Sequence, residues 1–294
     1  MAILVAGILL MRHQFAEGGA TMTQDALAEL YFRGDRAAAR CLFEFVDDEV
    51  ALHVPGGAQR NRLTTIDWWP YIATLLDNHD IGGFEFDVIQ KGTANHTRAF
   101  IDAKTNASLP AISAALSQGA TLRIFGVSRF EPNCAQQLRL LREVLRREAF
   151  VNLYITPAQC PGLKLHYDLE DSIAVQVKGE KVWKLFGQAN PRYPRELAPF
   201  TSQTEPKQIV HMRAGDVLFV PSGVVHTVET RDSISQHVTF GIHVSRTATT
   251  LSALLDEFTV SEEALRRPLR SDETVSDEQL ASWAGRFQEW LARR

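Results

Sequence analysis

A mainly β protein with flanking helices is predicted, its centre a double-stranded β-helix of the jelly-roll or cupin type. Two observations carry this prediction. From Val151 onward the hydrophobic period changes to two, the spacing of a pleated strand with one buried face. Short strand candidates then follow in series: 151–156, 163–168, 172–178, 181–186, 208–211, 216–220, 225–230 and 235–244. Turn signals separate them at Pro161-Gly162, Lys178-Gly179, Ala214-Gly215-Asp216 and Pro221-Ser222-Gly223. Short strands joined by tight turns suit a closed barrel, whose interior offers a cavity for a small ligand.

The segments before the barrel read as additions to it. Thr23 to Arg40 has a helical pattern with Leu27, Leu30 and Tyr31 on one face. Asp67-Trp68-Trp69-Pro70 opens a second helix that runs through Leu76. Phe84 to Ile89 alternates like a strand, 108–117 reads as a helix, and Ala120 to Phe125 as another strand. The clearest helix is 134–148, where Leu138, Leu141 and Leu145 form an apolar stripe. Its arginines fall on the other faces, and Glu143 and Glu148 interrupt the positive charge. That pattern reads as a solvated face rather than a nucleic-acid patch.

After Arg246 the chain turns helical again. Ser276-Asp277-Glu278-Gln279 fits a capping box, and Leu280, Trp283, Phe287, Trp290 and Leu291 follow at helical spacing. That apolar face needs a partner, either the chain's own core or the same helix of a second copy. The expected division is a leader or start-site extension at 1–22, a barrel domain with its additions at 23–246, and a helical region at 247–294.

Composition narrows the class. The chain has 294 residues, 45% hydrophobic and 22% charged, with a net charge of -4. This is ordinary globular usage, without the basic surplus of a protein that coats nucleic acid. The three cysteines, Cys41, Cys134 and Cys160, are odd in number and match no zinc spacing, which suits a reducing cytoplasm. The apolar start, MAILVAGILLM, is too short to span a bilayer and lacks the basic residue that opens a signal peptide.

The chemistry gathers at His166-Tyr167-Asp168. An extended backbone aims residues i and i+2 to one side, so His166 and Asp168 share one space. An imidazole and a carboxylate are two thirds of the facial triad that holds non-haem Fe(II) with coordination positions left open. The best third ligand is His226, in the strand-turn-strand signal DVLFVPSGVVHTV. In VKGEKVWKLF, Lys181 shares a face with Trp183 and Leu185. Inside a barrel its ammonium suits a carboxylate, while a surface position with a snorkelling stem is the plainer alternative. Asn152 and Tyr154 also share a face, and are either pocket-lining or ordinary strand residues. His211 reads as a structural histidine at a strand end, and His243 either lines the pocket or packs.

Together these residues resemble the JmjC-type cupin hydroxylases, most closely the ribosomal oxygenase branch. That branch comprises the bacterial ribosomal-protein arginine hydroxylases and the human nucleolar histidine hydroxylases. The family's H-x-D…H falls on His166, Asp168 and His226. Its basic co-substrate residue, fifteen positions after the first metal His, falls on Lys181, and its Asn-x-Tyr on Asn152 and Tyr154. The resemblance covers roughly 85–245. It implies Fe(II) held by the triad, and 2-oxoglutarate whose far carboxylate meets Lys181, with Asn152 and Tyr154 beside it. It also implies hydroxylation of a protein side chain, with succinate and CO2 as co-products. A small molecule or peptide natural product is the alternative substrate, and lysine demethylation ranks behind both. A non-enzymatic metal-holding cupin is the contrasting class, and it has no need of a buried cation at Lys181. Two features depart from the family. Phe240-Gly241 follows His237-Val238-Thr239, where the human branch carries a small hydroxyl residue, and the C-terminal region is reduced to about two helices. No membrane or direct nucleic-acid contact is expected, and the C-terminal helices are the expected surface of a homodimer.

Overall fold

In a computed structural model the period-two segments pair as antiparallel strands. The structure describes residues 25–43, 51–58, 61–77, 85–90, 93–96, 108–189, 205–244, 247–269, 271 and 274–293. The expected leader at 1–22 lies outside them, as do Phe84 and Arg246. The strands are β1 (Leu52–Val54), β2 (Phe86–Gln90), β3 (Thr93–His96), β4 (Thr121–Ile124), β5 (Ala149–Thr156), β6 (Asp171–Lys178), β7 (Glu180–Gln188), β8 (Gln208–Arg213), β9 (Val217–Val220), β10 (Val224–Thr230) and β11 (Ser235–Ile242). The α-helices are α1 (25–31), α2 (Arg36–Ala39), α3 (Trp68–Asp77), α4 (Leu109–Ser117), α5 (Pro132–Leu145), α6 (Thr247–Ser261) and α7 (Asp277–Ala292).

Eight strands form one sheet, in the order β1-β9-β6-β11-β5-β4-β2-β3, and three form a second, β10-β7-β8. The large sheet is buried on both faces. One face packs on helices, with Leu27, Trp68, Ile112, Leu138 and Leu141 set against Val151, Leu153, Ile155, Val238 and Phe240. The other faces the small sheet, where Ala174, Leu218 and Val220 meet Trp183, Leu185, Val210, Met212, Val224 and Val228. Each such side chain contributes roughly 1.5–3 kcal/mol when fully buried. Alternation along β5 therefore sends 151, 153 and 155 to the helices. It leaves Asn152, Tyr154 and Thr156 for the space between the sheets. That space, the interior of a jelly roll, holds the site.

Local chemistry explains where the chain departs from its sequence pattern. The single helix expected over 23–40 is broken, because Arg33 and Gly34 take positive φ of 56° and 82°. Asp35 then caps α2 by accepting from the amide of Ala38 at 3.0 Å. Helix α5 ends at Leu145, where Arg146 turns left-handed. Beyond it, the arginine face is not simply solvated. Arg147 is half-buried and pairs with Asp171 at 2.7 Å, also donating to the carbonyl of His243 at 2.8 Å, so it ties the helix end to the sheet. Residues 163–168 do not form the expected strand. Pro161 has no amide to donate, and the segment meets β10 through isolated bridges, Pro161 to Glu229 and His166 to His226, with the Thr227 hydroxyl donating to the Leu163 carbonyl at 3.1 Å, rather than through a continuous ladder.

The hairpin between β6 and β7 turns at Gly179, whose φ is +68°. A Cβ there would run into the carbonyl oxygen of Ile234. Gly179→Ala combines left-handed strain with a backbone collision, and is expected to destabilise the fold by about 2 kcal/mol or more. Denaturant unfolding measures this, and a loss near zero would show that the turn is not constrained as described.

Residues 245–294 form a separate compact unit. Ser276 and Gln279 make the reciprocal capping box at the start of α7. Within the unit, Phe258 of α6 contacts Phe287 and Trp290 of α7, with ring centroids 5.2 and 5.8 Å apart. Leu251, Leu255, Val260, Leu269 and Leu280 remain exposed.

Candidate metal centre

His226 stands on β10, and His166 on the irregular segment beside it. The two are joined by their own main chains. The His166 amide donates to the His226 carbonyl at 3.0 Å, and the His226 amide to the His166 carbonyl at 2.7 Å. Asp168 follows two residues on, and its carbonyl accepts from Gly223 of the Pro221-Ser222-Gly223 turn at 2.8 Å. A single bridge and a glycine turn thus do what a full strand was expected to do. One ligand atom from each of His166, Asp168 and His226 falls within 4.8 Å of the others.

The side-chain chemistry fits a divalent cation. Nδ1 of His166 lies 2.7 Å from the Lys164 carbonyl, and Nδ1 of His226 lies 2.9 Å from the Val224 carbonyl. A carbonyl only accepts, so each Nδ1 carries the proton and each Nε2 keeps its lone pair. Both Nε2 atoms face Asp168, each 3.8 Å from one carboxylate oxygen. That is too long for direct hydrogen bonds and leaves room for a shared ion. Burial pushes the His226 imidazole down to about 4, and His166 pushes the same way against a smaller pull upward from Asp168. His226 is therefore neutral at physiological pH, the form that ligates metal. Asp168 is 43% exposed and stands on the open side.

Lys181 is turned inward from β7 and is 1% exposed. Its ammonium donates to Thr156 Oγ1 at 3.1 Å and His237 Nδ1 at 3.2 Å. Both partners are uncharged acceptors, and among the described residues no carboxylate pairs with this amine. Burial pushes the amine down to about 7. An amine buried without a counter-ion gives up its proton easily, and an anion placed beside it would hold that proton on. Lys181, the triad, Tyr154, Thr121, Trp183 and His237 all line one cavity of about 480 Å³, its open mouth included. The indole N–H of Trp183 is buried there without an acceptor.

The other predicted residues divide. Tyr154 lines the cavity and stacks flat on His237, with centroids 4.7 Å apart and an interplanar angle of 5°. Asn152 is not among the lining residues. Its Oδ1 accepts from the Gly126 amide at 3.2 Å, anchoring the turn after β4. His211 is exposed on β8. His243 sits at the surface against Phe150 and Glu170, outside the cavity. Thr156, His237 and Arg123 escape a sequence reading. Their role depends on which strands lie side by side, although His237-Val238-Thr239 stands at the right period on β11.

Residues 125–250 match the JmjC domain family. Ribosomal oxygenase 1 of Rattus norvegicus is 31% identical over 150 residues, covering 48% of this chain and 25% of that protein. The bifunctional lysine-specific demethylase and histidyl-hydroxylase NO66 of Drosophila persimilis is 29% identical over 157 residues, covering 52% and 23%. The chain thus spans about a quarter of the length of these relatives. Among solved structures, the Escherichia coli ribosomal oxygenase YcfD superposes with a TM-score of 0.55 at 16% identity, over 82% of this chain and 63% of that one. A second structure of the same protein, in complex with cobalt and 2-oxoglutarate, gives a TM-score of 0.54 at 15% identity. The likeness establishes the fold.

Proposed function

From the premise that this chain carries a JmjC domain over residues 125–250, we propose that it is an Fe(II)- and 2-oxoglutarate-dependent oxygenase that hydroxylates a protein side chain. The observation that carries the reading is the pairing of two features in one cavity: a two-His, one-carboxylate cluster and a buried lysine without a counter-ion. A metal-holding module needs the first and not the second. The relatives' names, ribosomal oxygenase and histidyl-hydroxylase, support a protein substrate.

His166, Asp168 and His226 would hold the iron, and Lys181 would bind the far carboxylate of 2-oxoglutarate. When bound, the pair supplies the oxidising chemistry, in which 2-oxoglutarate and O2 become succinate and CO2 while one oxygen atom enters the substrate C–H bond. The chain's own residues do the rest. The carbonyls of Lys164 and Val224 fix the two imidazole tautomers. Trp183, Val220 and Val228 present apolar surface to the cavity. Asp168 leaves the mouth open on its exposed side, where a substrate side chain can enter. The test is succinate release from 2-oxoglutarate with Fe(II) and ascorbate present. No turnover, together with no thermal shift from 2-oxoglutarate or N-oxalylglycine, would sink the reading.

A pH dependence follows from Lys181. The carboxylate binds the charged amine, and burial holds that amine near 7. Affinity for 2-oxoglutarate is expected to be flat below this pH. Above it, each binding event must take up a proton, so affinity should fall about tenfold per pH unit. Calorimetry from about pH 6 to about pH 9 measures the slope, and a constant Kd would refute the protonation argument.

We assign the oxygenase domain to 23–246 and a helical region to 247–294, a reading supported by the compact unit that begins at Ser245. The exposed leucines of α6 and α7 support a homodimer through these helices, which light scattering tests: a strictly monomeric mass would exclude it. Three free cysteines support a reducing compartment such as the cytoplasm, and among the described residues no helix is long and apolar enough to cross a membrane. A disulfide found in protein isolated from cells would overturn that placement.

A further inference from the structure

A row of polar side chains crosses the large sheet at one level and passes the cavity at Tyr154 and His237. In register, Asp87 of β2 faces Arg123 of β4, Arg123 faces Tyr154 of β5, Tyr154 faces His237 of β11, and His237 faces Gln176 of β6. The contacts follow that register. Asp87 pairs with the Arg123 guanidinium, which also lies over the Phe125 ring at 4.6 Å. The Arg123 guanidinium and the Asn152 side chain both act on the Tyr154 hydroxyl, drawing its pKa down against the larger upward push of burial. The Tyr154 ring lies flat on the His237 imidazole, and Trp183 closes on that imidazole edge-on at 5.9 Å.

The imidazole is thus clamped from two sides, and one of its nitrogens meets the Lys181 amine at 3.2 Å. An ammonium has three donors and no acceptor. Thr156 and His237 take two of them, which leaves one N–H with its direction fixed by the other two. A lysine stem alone fixes nothing, since it rotates about four carbons.

Resting on the assignment of Lys181 to 2-oxoglutarate, we propose that His237 is a positioning residue: held flat by the Tyr154–Arg123–Asp87 row, it aims the free N–H of Lys181 at the far carboxylate of the dicarboxylate. His237 is 4% exposed, and burial together with the adjacent amine keeps its imidazole well below the usual range, so it stays neutral and able to accept. Affinity for the co-substrate therefore depends on a strand that supplies no metal ligand.

Two substitutions separate positioning from packing. His237→Phe keeps the flat ring against Tyr154 and removes the acceptor. His237→Asn loses the ring and keeps an acceptor near the place of Nδ1. Calorimetry of 2-oxoglutarate with the Mn(II)-loaded protein is the readout, with kcat and KM for succinate release beside it. The positioning role predicts that His237→Phe raises Kd and KM about tenfold or more with kcat little changed, while His237→Asn, which keeps the acceptor without the clamp, falls between His237→Phe and wild type. A packing role predicts the reverse order, and either that order or equal affinity in all three proteins overturns the proposal. If His237→Phe fails to fold, His237→Leu takes its place, with the same order required against His237→Asn. If wild-type protein itself does not bind 2-oxoglutarate, the co-substrate reading falls and this proposal with it. Normal wild-type binding with an unaffected His237→Phe sinks the positioning role alone.

Discussion

Asp168→Ala is expected to bring succinate formation to background and to weaken Fe(II) binding more than about 100-fold. Altering partners behind a metal ligand already costs about 10–100-fold, and this change removes a ligand and the only negative charge of the cluster. The two Nε2 lone pairs would remain, 3.8 Å from an oxygen that is no longer there. The fold should not notice. The Asp168 side chain is 43% exposed, and the hydrogen bond it provides to Gly223 comes from its main chain, which alanine keeps. Stability without metal should therefore change by no more than about 0.5 kcal/mol. Equilibrium dialysis with Fe(II) under nitrogen, a succinate assay and an unfolding curve test the three parts. Retained turnover in a protein that still folds would remove Asp168 from the site.

Lys181→Met separates stability from function in the opposite way. The thioether side chain fills nearly the same space as the lysine stem and has no charge to desolvate. The native amine is buried against two neutral acceptors, an arrangement that costs the free protein stability. The variant is expected to melt no lower than wild type when no co-substrate is present. Its affinity for 2-oxoglutarate should fall roughly 100-fold, since truncating one side of a buried charge contact costs about 2–5 kcal/mol. Thermal unfolding and calorimetry on the same preparation check both halves. A variant that melts higher and still binds 2-oxoglutarate normally would show that the amine serves something else.

Which parts of this were legible in the sequence follows from how far apart the relevant residues sit. His166 and Asp168 are two positions apart, and ligands that close are set by local backbone alone. The means differed, because one bridge to His226 replaces the expected strand at 163–168, yet i and i+2 still converge. His226 was readable because a Pro-Ser-Gly turn resets the chain just before it. Lys181 was readable as an amphipathic misfit among Val182, Trp183 and Leu185, though its burial was not. The polar row was hidden for a physical reason. Arg123, Tyr154 and His237 are neighbours only because β4, β5 and β11 lie side by side, and nothing in one strand's pattern states its register against a strand some eighty residues away. Asn152 stayed open between a pocket-lining and an ordinary strand residue, because a face shared with Tyr154 does not say what meets the side chain; the left-handed turn at Gly126 does, its amide donating to Asn152 Oδ1.

The stitching of His166 to His226 by reciprocal main-chain bonds has a consequence for metal choice. Those bonds hold the two histidine backbones together, while the partly exposed Asp168 carboxylate is the arm left to adjust to an ion. On the proposed reading copper and zinc, which outrank ferrous iron in the Irving–Williams order, would compete for the same trio, and protein purified in air with zinc in its buffer would emerge folded, zinc-loaded and silent.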